Sequence, residues 1–338
     1  MTGVASPGPA GPERLAPGAR PLMEAMAAVF PDVGVTVTDA AEARRILARM
    51  MPPPTGNPAV GQVEDRTVPG PEGAPQLPVR IYRPPGGSVA AVPTAVFFHG
   101  GGWVLGGLDS HDATARSLCL ASGAVVVSVD YRLAPEARFP EPAEDAYAAV
   151  SWASEHVGEL GGDPRALVVA GDSAGGNLAT VCTLMARERG GPRIAHQSLI
   201  YPSTDTEART PSRAANARGY FLTEEAMRWF GTQYFGPDAD LSHPHAAPLR
   251  ADLRGLPPAH VVTAGCDPLC DEGRLYAARL SEAGVPVTEA HFPGMFHGFL
   301  GAGRLLPDAQ EAMAGLGKVI AATASDRKID GDEGGSEG

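Results

Sequence analysis

The chain has little of what marks a secreted, membrane-bound or metal-binding protein. Its four cysteines, Cys119, Cys182, Cys266 and Cys270, are too few and too scattered for a disulfide framework. Two of them fall in segments that read as helices, and the expectation is free, mostly buried thiols. Cys266 and Cys270 stand four apart beside an aspartate, but no second ligand pair occurs at zinc spacing, so no metal is expected. Long apolar runs are absent, and stretches such as 124–127 are far too short to span a bilayer. The first 21 residues carry Pro7, Pro9, Pro12, Pro17 and Pro21 without the apolar segment of a signal peptide. Positive charge is outnumbered: 27 Lys and Arg against 39 Asp and Glu leave a net charge of −12. That balance favours solubility and disfavours nucleic acid or anionic membrane as a partner. A soluble, cytoplasmic protein is expected.

What is present fits an α/β domain. The length of 338 residues allows one large domain with additions, and a hydrophobic fraction of 43% is ordinary for a globular chain. Residues 22–30 and 40–51 have helical apolar spacing, the second stretch stopped by Pro52-Pro53-Pro54. A linker follows, then an alternating strand at 78–83. From there, short apolar β-branched runs (94–99, 124–130, 167–170, 198–201, 260–264) mostly precede helical stretches (110–121, 143–156, 175–188, 272–283). Such alternation implies a mostly parallel sheet covered on both faces. A strand at 287–292 and a helix at 308–322 complete it. The expected divisions are a disordered start (1–20), cap helices (21–60), a first core part (61–203), a cap insertion (204–240), a second core part (241–324) and a disordered acidic tail (325–338).

One connection is too long. Nearly sixty residues separate Tyr201 from His260, where a crossover needs far fewer. Within it Tyr220, Phe221, Trp229, Phe230, Tyr234 and Phe235 crowd together. By spacing this aromatic stripe reads as packing; by position, above the carboxyl ends of the strands, it reads as a ligand wall. The sequence leaves both open.

Two stretches carry chemistry. Gly171-Asp172-Ser173-Ala174-Gly175-Gly176-Asn177 fits G-x-S-x-G, a serine on a sharp turn between a strand and a helix. The helix behind it aims unpaired N–H groups and a partial positive charge at the serine. His99-Gly100-Gly101-Gly102-Trp103 follows a strand, and its glycines let bare N–H groups approach a substrate. Gly101, Gly102 and Ala174 are therefore the candidate oxyanion donors. A serine nucleophile needs a base, and the base needs an acid to orient it. His297 lies just beyond the last strand, on the same rim as Ser173. His291 is expected to pack within that strand, and His243 and His245 to sit in a polar connection. Asp267 ends the preceding strand and is the favoured acid; Asp271 is the competitor, with capping of its own helix as its alternative role. The order Ser, Asp, His is that of α/β-hydrolases.

With these residues in place, the chain resembles the hormone-sensitive-lipase-like carboxylesterases of the α/β-hydrolase superfamily. The matching stretches are the His99 glycine loop, Asp130-Tyr131-Arg132-Leu133-Ala134-Pro135-Glu136, the Ser173 segment, Gly219-Tyr220-Phe221-Leu222-Thr223, and the Asp267 and His297 segments. The likeness runs from about Pro78 to the final helix. It implies an α/β-hydrolase fold with a helical cap, no cofactor, and hydrolysis of short- to medium-chain acyl esters. Ser173, Asp267 and His297 would be the triad, with Gly101, Gly102 and Ala174 as the oxyanion hole. Separately, on the ligand-wall reading of the aromatic insert, Tyr220, Phe221 and Trp229, with Trp103, are the expected substrate-pocket residues. The charges of 130–136 would fix loops beneath the site, and a homodimer is plausible by likeness. A lactone or aryl-amide hydrolase would use the same groups; a non-catalytic receptor on this fold would lack the histidine that is present here. A histidine base must be neutral, so the rate should fall below the ordinary imidazole range, about pH 6.5.

Overall fold

The computed structural model describes residues 14–50, 56–86 and 91–325. Residues 1–13, Pro52-Pro53-Pro54 and the tail beyond residue 325 lie outside that range. The strands are β1 (Gln62–Val68), β2 (Leu77–Arg83), β3 (Val92–Phe98), β4 (Val125–Val129), β5 (Gly162–Asp172), β6 (His196–Ile200), β7 (Ala259–Cys266) and β8 (Val287–Phe296). They form one sheet in the order β1-β2-β4-β3-β5-β6-β7-β8. The pairs β1–β2 and β2–β4 are antiparallel, and every later pair is parallel.

The period of two explains why the sheet is covered twice. Val96 and Phe98 of β3, Val125, Val127 and Val129 of β4, and Leu167 and Val169 of β5 feed one apolar cluster. Ala95 and Phe97, Val126, and Val168 and Ala170 feed a second cluster on the other face. Each large side chain so buried contributes about 1.5–3 kcal/mol. Helices α4 (Glu141–Glu155), α5 (Ala174–Arg189) and α8 (Cys270–Glu282) cover the first face; α3 (Asp112–Ser122) and α9 (Pro307–Ser325) cover the second.

Three expectations need correction. The linker before residue 78 contains β1, whose residues are largely exposed up to Val68. Its sequence, rich in charge, hides an edge strand that ion pairs tie to β2: Arg83 to Glu64 and Arg80 to Asp65. The disorder expected through residue 20 does not hold from Arg14 onward. Leu15, and Ala19 and Met23 one helical turn apart, are buried, so this part docks on the core despite its prolines and glycines. The strand expected at 287–292 runs on to Phe296 across an irregularity in the β7–β8 register. A Cβ on Gly265 would lie 2.3 Å from Pro293 O, which is how this irregularity passes so close to β7.

Three further helices stand outside these covering layers: α1 (Ala19–Val29), which rests against β8, α2 (Ala40–Met50) and α7 (Glu224–Phe235), with the short α6 (Pro211–Ala215) before the last. The N-terminal segment and α7 are bound to each other. Trp229 Nε1 donates to Thr38 O at 2.9 Å, and Phe30 meets Phe221, just ahead of α7, edge-on at 5.1 Å. Gly34, at φ 79°, sits so close that a Cβ would lie 2.7 Å from Glu225 O.

Candidate active site

Strand β5 ends at Asp172 and α5 begins at Ala174, so Ser173 alone carries the reversal, at φ 56° and ψ −117°. A non-glycine residue there stores about 1–3 kcal/mol of strain, and its neighbours must be small. A Cβ on Gly171 would lie 2.2 Å from Gly175 O, and one on Gly175 only 1.9 Å from Phe98 O. The pattern G-x-S-x-G is thus a steric requirement of this turn. Hydrogen bonds lock it. Ser173 N donates to Ile200 O (2.8 Å), while Asn177 N (3.1 Å) and Ser203 N (3.2 Å) donate to Ser173 O. The Asn177 amide in turn donates to Ser203 O at 3.0 Å.

The base and acid come from the next strand ends. His297 follows β8, and its Nε2 lies 2.8 Å from Ser173 Oγ. Its Nδ1 lies 2.7 Å from Asp267 Oδ2, directly after β7. Asp267 is fully buried, its other oxygen accepting from Leu269 N at 2.8 Å. Tyr201 packs against the His297 ring at 4.7 Å. Asn216, which the sequence reading passed over, holds the acid loop by donating to Asp267 O (2.9 Å) and Gly265 O (3.2 Å). Asp271 takes no part: its carboxylate accepts from Ser212 N at 2.7 Å, capping α6 rather than its own helix. His291 lies in β8 but on its exposed side, with Nδ1 2.9 Å from Thr263 Oγ1, so the expectation of packing was wrong. His243 is exposed, and His245 Nε2 pairs with Glu188 at 2.9 Å, away from the serine.

The glycine loop closes the third side. Gly101 and Gly102 adopt φ 117° and 61°, and among the described residues neither N–H is spent on an intrachain acceptor. A Cβ on Gly101 would strike Leu105 O at 2.2 Å, and one on Gly102 the Phe230 ring at 2.2 Å. Three side chains hold the loop. Asp172 Oδ1 accepts from Gly100 N at 2.9 Å, tying the loop to the serine turn. Burial works against the Asp172 charge, yet His111 and the Gly100 N–H outweigh it and hold the carboxyl below its ordinary range. His99 is fully buried, which pushes its pKa down to about 3 and leaves it neutral. Its Nδ1–H donates to Gly100 O at 2.8 Å, and Tyr131 O–H donates to His99 O at 2.8 Å. The other charges of 130–136 also brace loops: Arg132 grips Asp145 (2.7 Å), and Glu136 grips Arg44 of α2 (2.8 Å).

Ser173, His297, Gly101, Gly102 and Ala174 all border one cavity of about 1210 Å³. Its upper wall comes from α1, α2 and α7 through Met26, Leu47 and Phe230. Of the four expected pocket residues, Tyr220, Phe221 and Trp103 border it, although the Trp103 ring is buried and stacked on Tyr234 at 4.4 Å. Trp229 does not; its ring is turned away to bind Thr38. Phe230, one position on, takes its place over Gly102. The stripe of aromatics therefore serves both packing and wall. Spacing alone could not tell the two neighbours apart.

The chain's likeness to known proteins agrees with this geometry. Residues 95–301 match the family described as having the alpha/beta hydrolase fold. Carboxylesterase NlhH of Mycobacterium tuberculosis is 43% identical over 86% of this chain and 92% of its own length. Ethyl acetate hydrolase of Pseudomonas putida is 41% identical over 70% of this chain and 76% of its own. The structure of the ester hydrolase EH1AB1 from the metagenome of Lake Arreo superposes with a TM-score of 0.86. It is 40% identical, covering 92% of this chain and 99% of that one. The chain belongs to the hormone-sensitive-lipase-like carboxylesterases of the α/β-hydrolase superfamily.

Proposed function

We propose that this protein hydrolyses short- to medium-chain acyl esters through an acyl-serine intermediate. The observation that carries the reading is the unbroken line Ser173 Oγ, His297 Nε2, His297 Nδ1, Asp267 Oδ2, with contacts of 2.8 and 2.7 Å. His297 takes the Ser173 proton as Oγ attacks the ester carbonyl carbon. Asp267 holds the ring so that Nδ1–H points to it and Nε2 is free to accept, and it stabilises the imidazolium. The carbonyl oxygen, now negative, rests on the N–H groups of Gly101, Gly102 and Ala174, each worth about 3 kcal/mol to the transition state. The C–O bond to the alcohol breaks and the alcohol leaves with the proton from His297. A water molecule, deprotonated by His297, then attacks the acyl carbon, and Ser173 leaves with that proton.

The helices α1, α2 and α7 act in this reading as a cap that bounds the acyl and alcohol space. The apolar side chains of Met26, Phe30, Phe221 and Phe230 at the cavity support chains longer than acetyl. Among the described residues no helix is long and apolar enough to cross a membrane. We assign the enzyme to the cytoplasm, a reading that its four unpaired, buried thiols support. Strand β8 ends the sheet, and its edge supports pairing with a second copy.

Replacement Ser173→Ala tests the whole. Turnover of a short-chain aryl ester should fall about ten-thousand-fold or more; turnover near that of the wild type would refute the mechanism.

A further inference from the structure

One line of polar side chains takes no part in the proton transfers yet ends on the oxyanion loop. The cavity runs past that loop to a polar end bordered by Arg80, Asp109, Ser110, His111, Asp130 and Asp172. His111 Nε2 faces Asp172 Oδ1 at 3.6 Å. On the other side of the ring, Nδ1 lies 2.9 Å from Ser110 Oγ, and that hydroxyl lies 3.0 Å from Gly107 O. A serine hydroxyl has one proton to give. If Ser110 gives it to Nδ1, the neutral ring keeps its own proton on Nε2, facing the carboxylate. If Ser110 gives it to Gly107 O, Nδ1–H donates to Ser110, and a proton on Nε2 then makes the ring an imidazolium. Both arrangements aim an N–H at Asp172. The remaining one, a bare nitrogen lone pair against a carboxylate, is repulsive.

The oxygen that His111 faces, Asp172 Oδ1, is the one that accepts from Gly100 N. Asp172 is 8% exposed and adjacent to Ser173 in the chain, so its charge opposes the negative oxygen that forms nearby. Besides His111, the Gly100 N–H offsets part of that charge. The His99 ring, 5.4 Å from that of His111, is neutral, and Arg80 is engaged by Asp65 and Asp109. We propose that His111, oriented by Ser110, is a positioning residue of the ester hydrolysis. Its Nε2–H holds and offsets Asp172, which fixes Gly100 and so aims the Gly101 and Gly102 N–H groups. The proposal rests on the esterase reading and on Ser173 as nucleophile.

The test compares His111→Leu with His111→Gln, whose amide nitrogen reaches the position of Nε2. On a short-chain aryl ester the leucine variant should lose about tenfold in kcat, less than direct loss of an oxyanion donor, with KM within about twofold. Phosphonylation of Ser173 by a fluorophosphonate should slow in step, because it too builds charge in the oxyanion hole. The glutamine variant should recover to within about threefold of wild type in both. Unchanged kcat in the leucine variant, a change confined to KM, or equal impairment of both variants would overturn the proposal. Should the leucine variant fail to fold, Ser110→Ala decides: a kcat lowered about threefold at constant KM supports the proposal, and an unchanged kcat overturns it. The parallel Ser173→Ala control separates the two readings. If that variant stays active the esterase reading fails; if it is inactive while both His111 and Ser110 variants behave as wild type, only the role of His111 falls.

Discussion

The rim of the sheet and the helices above it border the same cavity but are built on different principles. At the rim, backbone does the work: Ser173 at φ 56°, Gly102 at φ 61°, and glycines whose Cβ atoms would land within 2.3 Å of a carbonyl oxygen or a ring. Above it, side chains from distant segments meet: Trp229 with Thr38, Phe30 with Phe221, Arg44 with Val104 and Glu136. The first kind of construction admits almost no substitution. The second kind rests on separate contacts between distant segments, each of which can be removed singly.

The sharpest way to test that contrast is to make one substitution in both regions. Gly175→Ala should abolish ester hydrolysis and cost at least about 3 kcal/mol, because its Cβ would lie 1.9 Å from Phe98 O in a turn closed on every side. Gly231→Ala in α7, where nothing lies within 4 Å, should instead stabilise by up to about 1 kcal/mol through helix propensity. Urea unfolding and turnover measured on both variants would decide. Equal effects would erase the distinction.

Where the two regions touch, the effect should be intermediate. Gly102→Ala should lower kcat about a hundredfold by pushing the loop off the Phe230 ring. The double variant with Phe230→Ala should recover part of that loss, and strict additivity in the cycle would deny the contact.

Acid should act on the core. His196, at the start of β6 and 7% exposed, is pushed down to about 4 by burial. Its folded pKa lies below the unfolded value near 6.5, so the unfolded chain binds more protons between those values. The stability held above pH 6.5 is therefore lost as pH falls toward 4, by on the order of 3 kcal/mol. His196→Phe should remove that loss, which unfolding midpoints at pH 4.5 and 7.5 would reveal; an unchanged difference would contradict it.

The smallest effect belongs to the helices above the cavity. Trp229→Phe removes the bond to Thr38 O and should cost about 1 kcal/mol. It should shift preference among acyl chain lengths while leaving kcat on the shortest ester within about twofold. A large fall in kcat on that ester would mean that this region shapes the chemistry itself.

What could be read from the sequence follows the same divide. The serine turn and the glycine loop were legible because steric demands force particular residues into adjacent positions. His297 and Asp267 were legible because each closes a recognisable strand. Asp172 and Asn177 stood inside a recognised stretch without their roles being evident, since their partners Gly100 and Ser203 lie 72 and 26 residues away. Asn216 left no local signal at all; its work is to bond the carbonyls of Gly265 and Asp267. Trp229 was misassigned because helical periodicity gives the face of α7 but not which of two adjacent rings turns down over Gly102. Strand β1 was missed because an exposed edge strand needs no apolar alternation when ion pairs hold it.

Every step of the hydrolysis depends on His297 activating Ser173 to form a covalent bond with substrate. Mass spectrometry of the protein after a stoichiometric fluorophosphonate tests it most directly. One adduct per chain, located on Ser173 and absent from Ser173→Ala, with loss of esterase activity in step, is expected. An adduct on another residue, or full activity in the labelled protein, would contradict it.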